Sequence, residues 1–412
     1  MAYAALLFGA TLALQRMSAH STSRLDTIES MVERSTFAID GASYQTVDKV
    51  FIDGHYYSHQ PPLQAMVGAA VYYQLWLAGL RLGPGRVAAY TIVTFAVNGL
   101  MTVIGLAFFW RALAWSEVPE RWHLAVTASL ACGTLLLPFG TTMNGHGFSA
   151  ALLSMGLYFY VRGGAVFWAG LAFGLAGASD HALLVFFGAF GLSAMARWGK
   201  GAVWFFVAGA LALAPVGVYY YAVGHSLVPI AARPELFVYS GSVWSADGGI
   251  YNRLTGAGWN SGQFAASYGV KLLVGPHGFL IYNPASWLAL YGMALVIRRR
   301  MRYWIEAAGA AAGSCLVIVY YALASVNSSG WTYSVRWFIP FLPLWWYFGA
   351  PVVNGWTQRA PRWAVALCAV SVFYALAGTL NPWSSPYSGY ATPWTNIVEE
   401  ARRPHFGRYI WR

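Results

Sequence analysis

Five long apolar runs, residues 87–110, 122–139, 203–223, 304–324 and 363–380, contain one carboxylate, Glu306, and no lysine or arginine between them. At about 1.5 Å of rise per residue, each reaches most of the way across a hydrocarbon layer of about 30 Å. No water-soluble surface can be made from such segments. Composition points the same way: 9% of the 412 residues are charged, against about 25% in soluble domains. The aromatic content of 17% suits a chain that anchors Trp and Tyr at two membrane interfaces.

Shorter apolar runs at 148–160, 166–178, 182–196, 279–297 and 338–353 extend the pattern. The basic residues occur in short loops between the runs, at 111–121, 162–164, 197–200, 298–302 and 359–362. If residues 1–14 form a retained first helix rather than a cleaved leader, all five loops fall on one side. This requires residues 62–80 to form a juxtamembrane or re-entrant helix that does not cross. The positive-inside rule then makes the basic side cytoplasmic. The expected fold is all-α: one polytopic transmembrane domain over 1–412, of about eleven helices, with juxtamembrane helices in the first outer loop. The outer side would hold residues 17–86, the turn at Asn144 and His146, residues 224–278, residues 325–337 and a tail over 381–412.

This arrangement accounts for the net charge of +11 without nucleic acid, since the cations do not gather on one helix or face. Cys132, Cys315 and Cys368 lie inside apolar runs and read as small hydrophobes. The acids are less evenly placed. Six of fourteen, Asp26, Glu29, Glu33, Asp40, Asp48 and Asp53, fall in the first outer loop.

Within that loop, Leu25, Ile28 and Val32 recur at helical spacing, as in an amphipathic helix at the interface. Ser23 and Asp26 fit a capping box; the alternative makes Asp26 a general base beside the membrane. Further on, residues 48–62 place Asp48, Asp53, Tyr56, Tyr57, His55 and His59 close to Gln60-Pro61-Pro62. Asp53-Gly54 is a turn signal. Two His with two Asp leave a divalent metal open, although the spacing matches no familiar site. His146 follows Asn144-Gly145, and Asp180-His181 interrupts two apolar runs, where an ionisable group is functional by default. Gly275-Pro276-His277-Gly278 marks a tight re-entry, and Arg336 stands alone among aromatics, either snorkelling or clamping a phosphate.

The order of these motifs resembles the GT-C membrane glycosyltransferases, in particular the branch of protein O-mannosyltransferases and lipid A aminoarabinose transferases. Asp26 stands where relatives have an acid after the first helix. Asp53-Gly54-His55-Tyr56-Tyr57-Ser58-His59-Gln60-Pro61-Pro62 is similar to their D-G-x-x-Y-x-x-K-P-P-like stretch. Gly278 to Pro284 and Ser334 to Pro340 are similar to two later segments. The chain departs from relatives at Gln60, where many have Lys, and at Asn144-Gly145-His146, where many have a second acid.

The resemblance implies inverting transfer of a sugar from a polyprenyl-phosphate donor to a glycan, lipid or protein hydroxyl. The reaction would take place on the extracytoplasmic side of a bacterial inner membrane. Asp26 would be the base, Arg336 with His59 or His146 would hold the leaving phosphate, and Asp48 and Asp53 would orient hydroxyls. Tyr57, Gln60 and His277 complete the expected substrate-binding set. Two other classes stay open: a transporter or flippase of a lipid-linked substrate, for which Asp180 and Glu306 are the candidate charges at membrane depth, and a non-catalytic scaffold.

Overall fold

A computed structural model describes residues 1–244, 259–327, 329–356, 358–384 and 392–402. Parts of the expected outer loop 224–278 and tail 381–412 lie outside the described residues. The described chain is almost entirely helical. In order, α1 is Ala2–Leu14, α2 Ala19–Glu33, α3 Leu63–Leu77, α4 Val87–Thr94 and α5 Leu100–Leu113. They are followed by α6 His123–Cys132, α7 Leu136–Gly140, α8 Gly145–Arg162, α9 Val166–Ser179, α10 Leu184–Trp198 and α11 Val203–Gly224.

Val87–Leu113, His181–Gly224, Trp304–Ala324 and Arg362–Leu380 are each long and apolar enough to cross a bilayer; the bent pair Gly262–Tyr282 and Ser286–Arg298 adds a fifth. Other expected spans are shorter or broken, and the sequence shows where. The run 122–139 is interrupted between Gly133 and Leu135, just before Pro138, which has no N–H to continue a ladder. There the Asn283 side chain accepts from the Leu135 amide at 2.8 Å. Pro340, Pro343 and Pro351 divide the 338–353 run into tight turns around Leu342–Gly349. α3 is 15 residues long and lies along α2, as a juxtamembrane helix would.

Packing relies on small residues, as expected where lipid and side chains are equally apolar. Gly170 and Gly174, one turn apart on α9, face the backbone of Phe205 and Gly209 on α11 too closely for a β-carbon. In the same way, Gly292 meets the carbonyl of Gly349.

The two ends of the bundle differ. At one end, Arg197 lies near Glu306 and over the rings of Tyr160, Trp198 and Tyr303. Tyr303 donates to the Val161 carbonyl, Asn354 donates to the Glu117 carbonyl, and Trp122 packs on Trp356. The basic loops therefore gather here. At the other end meet the segments expected outside. Ser21 donates to the Met143 carbonyl, Gln64 to the Asn144 carbonyl, Ser334 to the His277 carbonyl and the Tyr333 amide to the Pro382 carbonyl.

One feature departs from an all-helical loop. Val50–Ile52 (β1) and His55–Tyr57 (β2) form an antiparallel hairpin. Asp53 and Gly54 occupy its turn with φ of 50° and 88°, the pattern of a type I′ turn. The Phe51 and Tyr56 rings meet at a tilt with centres 5.1 Å apart, and Lys49 lies over the Tyr56 ring.

Candidate functional site

The site begins on α2, and α2 is not the amphipathic surface helix expected from Leu25, Ile28 and Val32. Its polar side is buried as well: Ser21, Thr22, Ser23, Arg24, Asp26, Thr27, Glu29 and Ser30 are all enclosed. The segment 42–60 folds over them and takes up the hydrogen bonds of Ser23, Arg24, Asp26 and Glu29. The capping box also lies elsewhere. Ser18 is the N-cap and accepts from the Ser21 amide, while Ser23 lies mid-helix and donates to the Asp48 carbonyl at 2.7 Å, 2.7 Å from the Ser58 hydroxyl.

Asp26 is fully buried. One carboxylate oxygen accepts from the Tyr44 amide and the other from the Thr46 amide, each at 2.9 Å. Burial pushes its pKa up to about 7, against those two amides. The charges acting on it are Glu29 and Arg34. Its bonds hold the strap that carries Asp48.

Two and six residues before Asp26 on the same helix, facing a different neighbour set, are Arg24 and His20. Arg24 donates to the Gln60 side-chain oxygen at 3.0 Å and to the His20 carbonyl. Its guanidinium rests on Gly145, where a β-carbon would come within 2.9 Å of it. Gln60 in turn donates to Asp48 at 3.2 Å and lies 2.6 Å from His59. Asp48 faces His59 at 3.4 Å and His20 at 3.8 Å. His20 stacks against His146, ring centres 6.4 Å apart, and His146 pairs with Asp180 at 3.2 Å. The guanidinium of Arg336 lies over the Trp383 ring at 5.0 Å, and Trp383 also neighbours His20. Trp383 is fixed by its indole N–H, which donates to Thr142.

The result is a cluster of two arginines and three histidines in which Arg24 and His146 are buried and His20, His59 and Arg336 partly so; His20 and His59 face Asp48, and His146 faces Asp180. Several polar atoms in it have no partner: Nε of Arg24, Nε of Arg336, Nε2 of His20 and Nδ1 of His59. Unmade hydrogen bonds at a buried group are costly. Burial, and then the charge of Arg336, holds the Arg24 guanidinium down to about 9. His20 is pressed well below its ordinary range by burial and by the same arginines, and His59 is lowered chiefly by burial. Such a cluster of unpartnered cations is complementary to an anion.

Asp48, His59, Gln60, His146 and Arg336 thus come together from three separated segments. Asp53 does not join them: it lies at the exposed hairpin tip, paired with His225 at 2.8 Å. Tyr57 is half-buried in β2, its backbone bridged to Ala38. His277 packs beside Tyr282 with both ring nitrogens unpartnered. His55 pairs with Asp40, so the acids and histidines of 48–59 divide between two places. Among the described residues, no three His, Cys, Asp or Glu side chains are placed to hold a metal ion. His20 and Arg24 were not singled out from the sequence. Their i, i+4 spacing was the available signal, hidden because a polar face reads as a solvent face.

No family model matches the chain, and no curated protein matches it in sequence. Its structure is similar to ArnT from Cupriavidus metallidurans bound to undecaprenyl phosphate, with a TM-score of 0.53 and 13% identity over 90% of this chain and 61% of that one. The apo form of the same protein gives 0.53 and 15%, covering 96% and 66%. The apo oligosaccharyltransferase of Archaeoglobus fulgidus gives 0.51 and 12%, covering 95% and 55%. The chain spans less than two thirds of the length of each. Like these neighbours it is a multi-pass helical membrane protein, and it has the fold of the GT-C integral membrane glycosyltransferases.

Proposed function

We propose that the chain transfers a sugar from a polyprenyl-phosphate donor to an acceptor hydroxyl, with inversion, at the polar end of the bundle. That end would face the extracytoplasmic side of a bacterial inner membrane. The observation carrying this reading is the pair of Arg24, which is buried, and Arg336, which is partly buried, whose enclosed Nε atoms have no partner. A phosphate seated between them would supply acceptors to both forks and relieve their mutual repulsion. A leaving phosphate gains charge as the glycosidic bond breaks, so preorganised guanidinium groups stabilise the transition state more than the ground state.

The departure at Gln60 fits this reading. Gln60 has no charge, but its side-chain oxygen holds Arg24, and Arg24 brings a cation to the place where relatives carry Lys. Lys49 does not fill that role, since it lies over Tyr56 on the hairpin. Asp26 was the expected base, and its bonds to two backbone amides favour a structural task instead. Asp48 is the carboxylate that faces the cluster.

The test uses purified protein in detergent, undecaprenyl phosphates carrying labelled hexoses or pentoses, and glycan and lipid acceptor extracts. Wild type should transfer label, and Arg336→Ala and Arg24→Ala should each bind undecaprenyl phosphate at least tenfold more weakly. Unchanged binding in both variants would remove the phosphate site. A folded wild type inert with every donor would favour the scaffold or the transporter.

A further inference from the structure

Resting on the transfer reading, we propose that His20 takes the proton of the acceptor hydroxyl, with Asp48 as the carboxylate that orients it. Three histidines line the cluster, and two are already engaged. His146 Nδ1 is committed to Asp180 at 3.2 Å. His59 Nδ1 faces Asp48 at 3.4 Å without a hydrogen bond, but its Nε2 is taken up by the Gln60 amide at 2.6 Å, and its ring packs against Phe237. His20 alone combines an unpartnered Nε2 with an Nδ1 that faces a carboxylate, Asp48 Oδ2 at 3.8 Å. Its ring neighbours those of His146 and Trp383 and shares Trp383 with the Arg336 guanidinium. On this proposal Nε2, enclosed and unpartnered, borders the place where the donor phosphate and anomeric carbon would sit. The Asp48 contact is longer than a hydrogen bond, as catalytic contacts often are before substrate binds.

The step balances as follows. The acceptor oxygen forms its bond to the anomeric carbon while its proton passes to His20 Nε2. The bond from the anomeric carbon to the phosphate oxygen breaks, and its electron pair leaves on polyprenyl phosphate, between Arg24 and Arg336. The new imidazolium is balanced by Asp48. The groups facing His20 are Arg24 on its own helix, Asp48 and His59 from the strap, His146 from α8, and Arg336. Burial and the cations keep the imidazole neutral at neutral pH, the form a base requires. The acid limb of kcat/KM should accordingly fall below the ordinary histidine range.

The experiment compares wild type, His20→Gln and His20→Ala with undecaprenyl-phosphate sugars over pH 5 to 9. Gln keeps a polar group near Nε2 but cannot take a proton, so it decides the matter should the Ala variant not fold. Loss of kcat by about 10²- to 10⁴-fold is expected, with donor KM and undecaprenyl phosphate binding within about threefold. The acid limb should disappear, and added imidazole should restore His20→Ala in proportion to its free-base concentration. His20→Gln with kcat within threefold of wild type and an unchanged acid limb would overturn the assignment while leaving transfer intact. A wild type that moves no label would overturn both.

Discussion

Asp26 separates a structural acid from a catalytic one, and its surroundings set the size of the effect. Asp26→Ala leaves the Tyr44 and Thr46 amides, each now bonded at 2.9 Å, without acceptors in a buried site. At roughly 1–3 kcal/mol for each orphaned group, the variant should lose about 2–6 kcal/mol. Asp26→Asn keeps one acceptor and should lose about half as much. The wild-type carboxyl, raised from 3.8 to about 7 mainly by burial, adds a pH dependence. A proton binds it more tightly in the folded protein, so its contribution is full below about pH 3.8 and is lost as pH rises through about 7. At 1.36 kcal/mol per unit this amounts to about 4 kcal/mol. The Asn side chain cannot ionise, so wild type should lose about 4 kcal/mol relative to Asp26→Asn between pH 4 and 8. Thermal unfolding followed by tryptophan fluorescence in detergent reads this difference. Transfer assayed well below the melting transition should fall less than tenfold. A variant that melts like wild type at every pH but transfers 100-fold more slowly would refute the reasoning and return Asp26 to the chemistry.

Three further outcomes follow from single contacts. Glu306, buried at the basic end, accepts from Ser193 at 3.0 Å and Tyr160 at 3.3 Å and lies 3.9 Å from Arg197. Glu306→Ala should cost about 3 kcal/mol, the low end for a broken buried pair because Arg197 is about one third exposed; unfolding should show it while undecaprenyl phosphate binding stays constant. Trp383→Ala removes the platform under Arg336, a contact worth about 0.5–2 kcal/mol, and should weaken undecaprenyl phosphate binding by about 2- to 30-fold; Trp383→Phe should recover most of it. Asp53→Asn should leave stability within about 0.5 kcal/mol and transfer unchanged, because Asn-Gly suits the same I′ turn. A tenfold loss of transfer in a normally melting Asp53→Asn protein would bring that residue back into substrate binding.

Much of this protein could be read locally. The apolar runs, the Asp53-Gly54 turn and the alternation of basic and polar loops depend on neighbouring residues and on the bilayer as solvent. The same local information made Asp48, His59, Gln60, His146 and Arg336 worth naming, and they meet although nearly 300 positions separate the first from the last. The sequence by itself therefore determined that the chain is a membrane helical bundle with its polar chemistry at one end. Tertiary structure alone decided which polar groups belong to that chemistry. On α2, Leu25 and Ile28 face the core as their spacing requires, but spacing does not tell whether the opposite face meets water or protein. The strap 42–60 closes over that face. Once it does, Asp26 is consumed by two backbone amides, while His20 and Arg24, earlier on the same helix, are left with unmade hydrogen bonds beside Arg336. The physical reason is that helical period encodes direction around one axis, whereas burial of a polar face depends on a distant segment able to satisfy it.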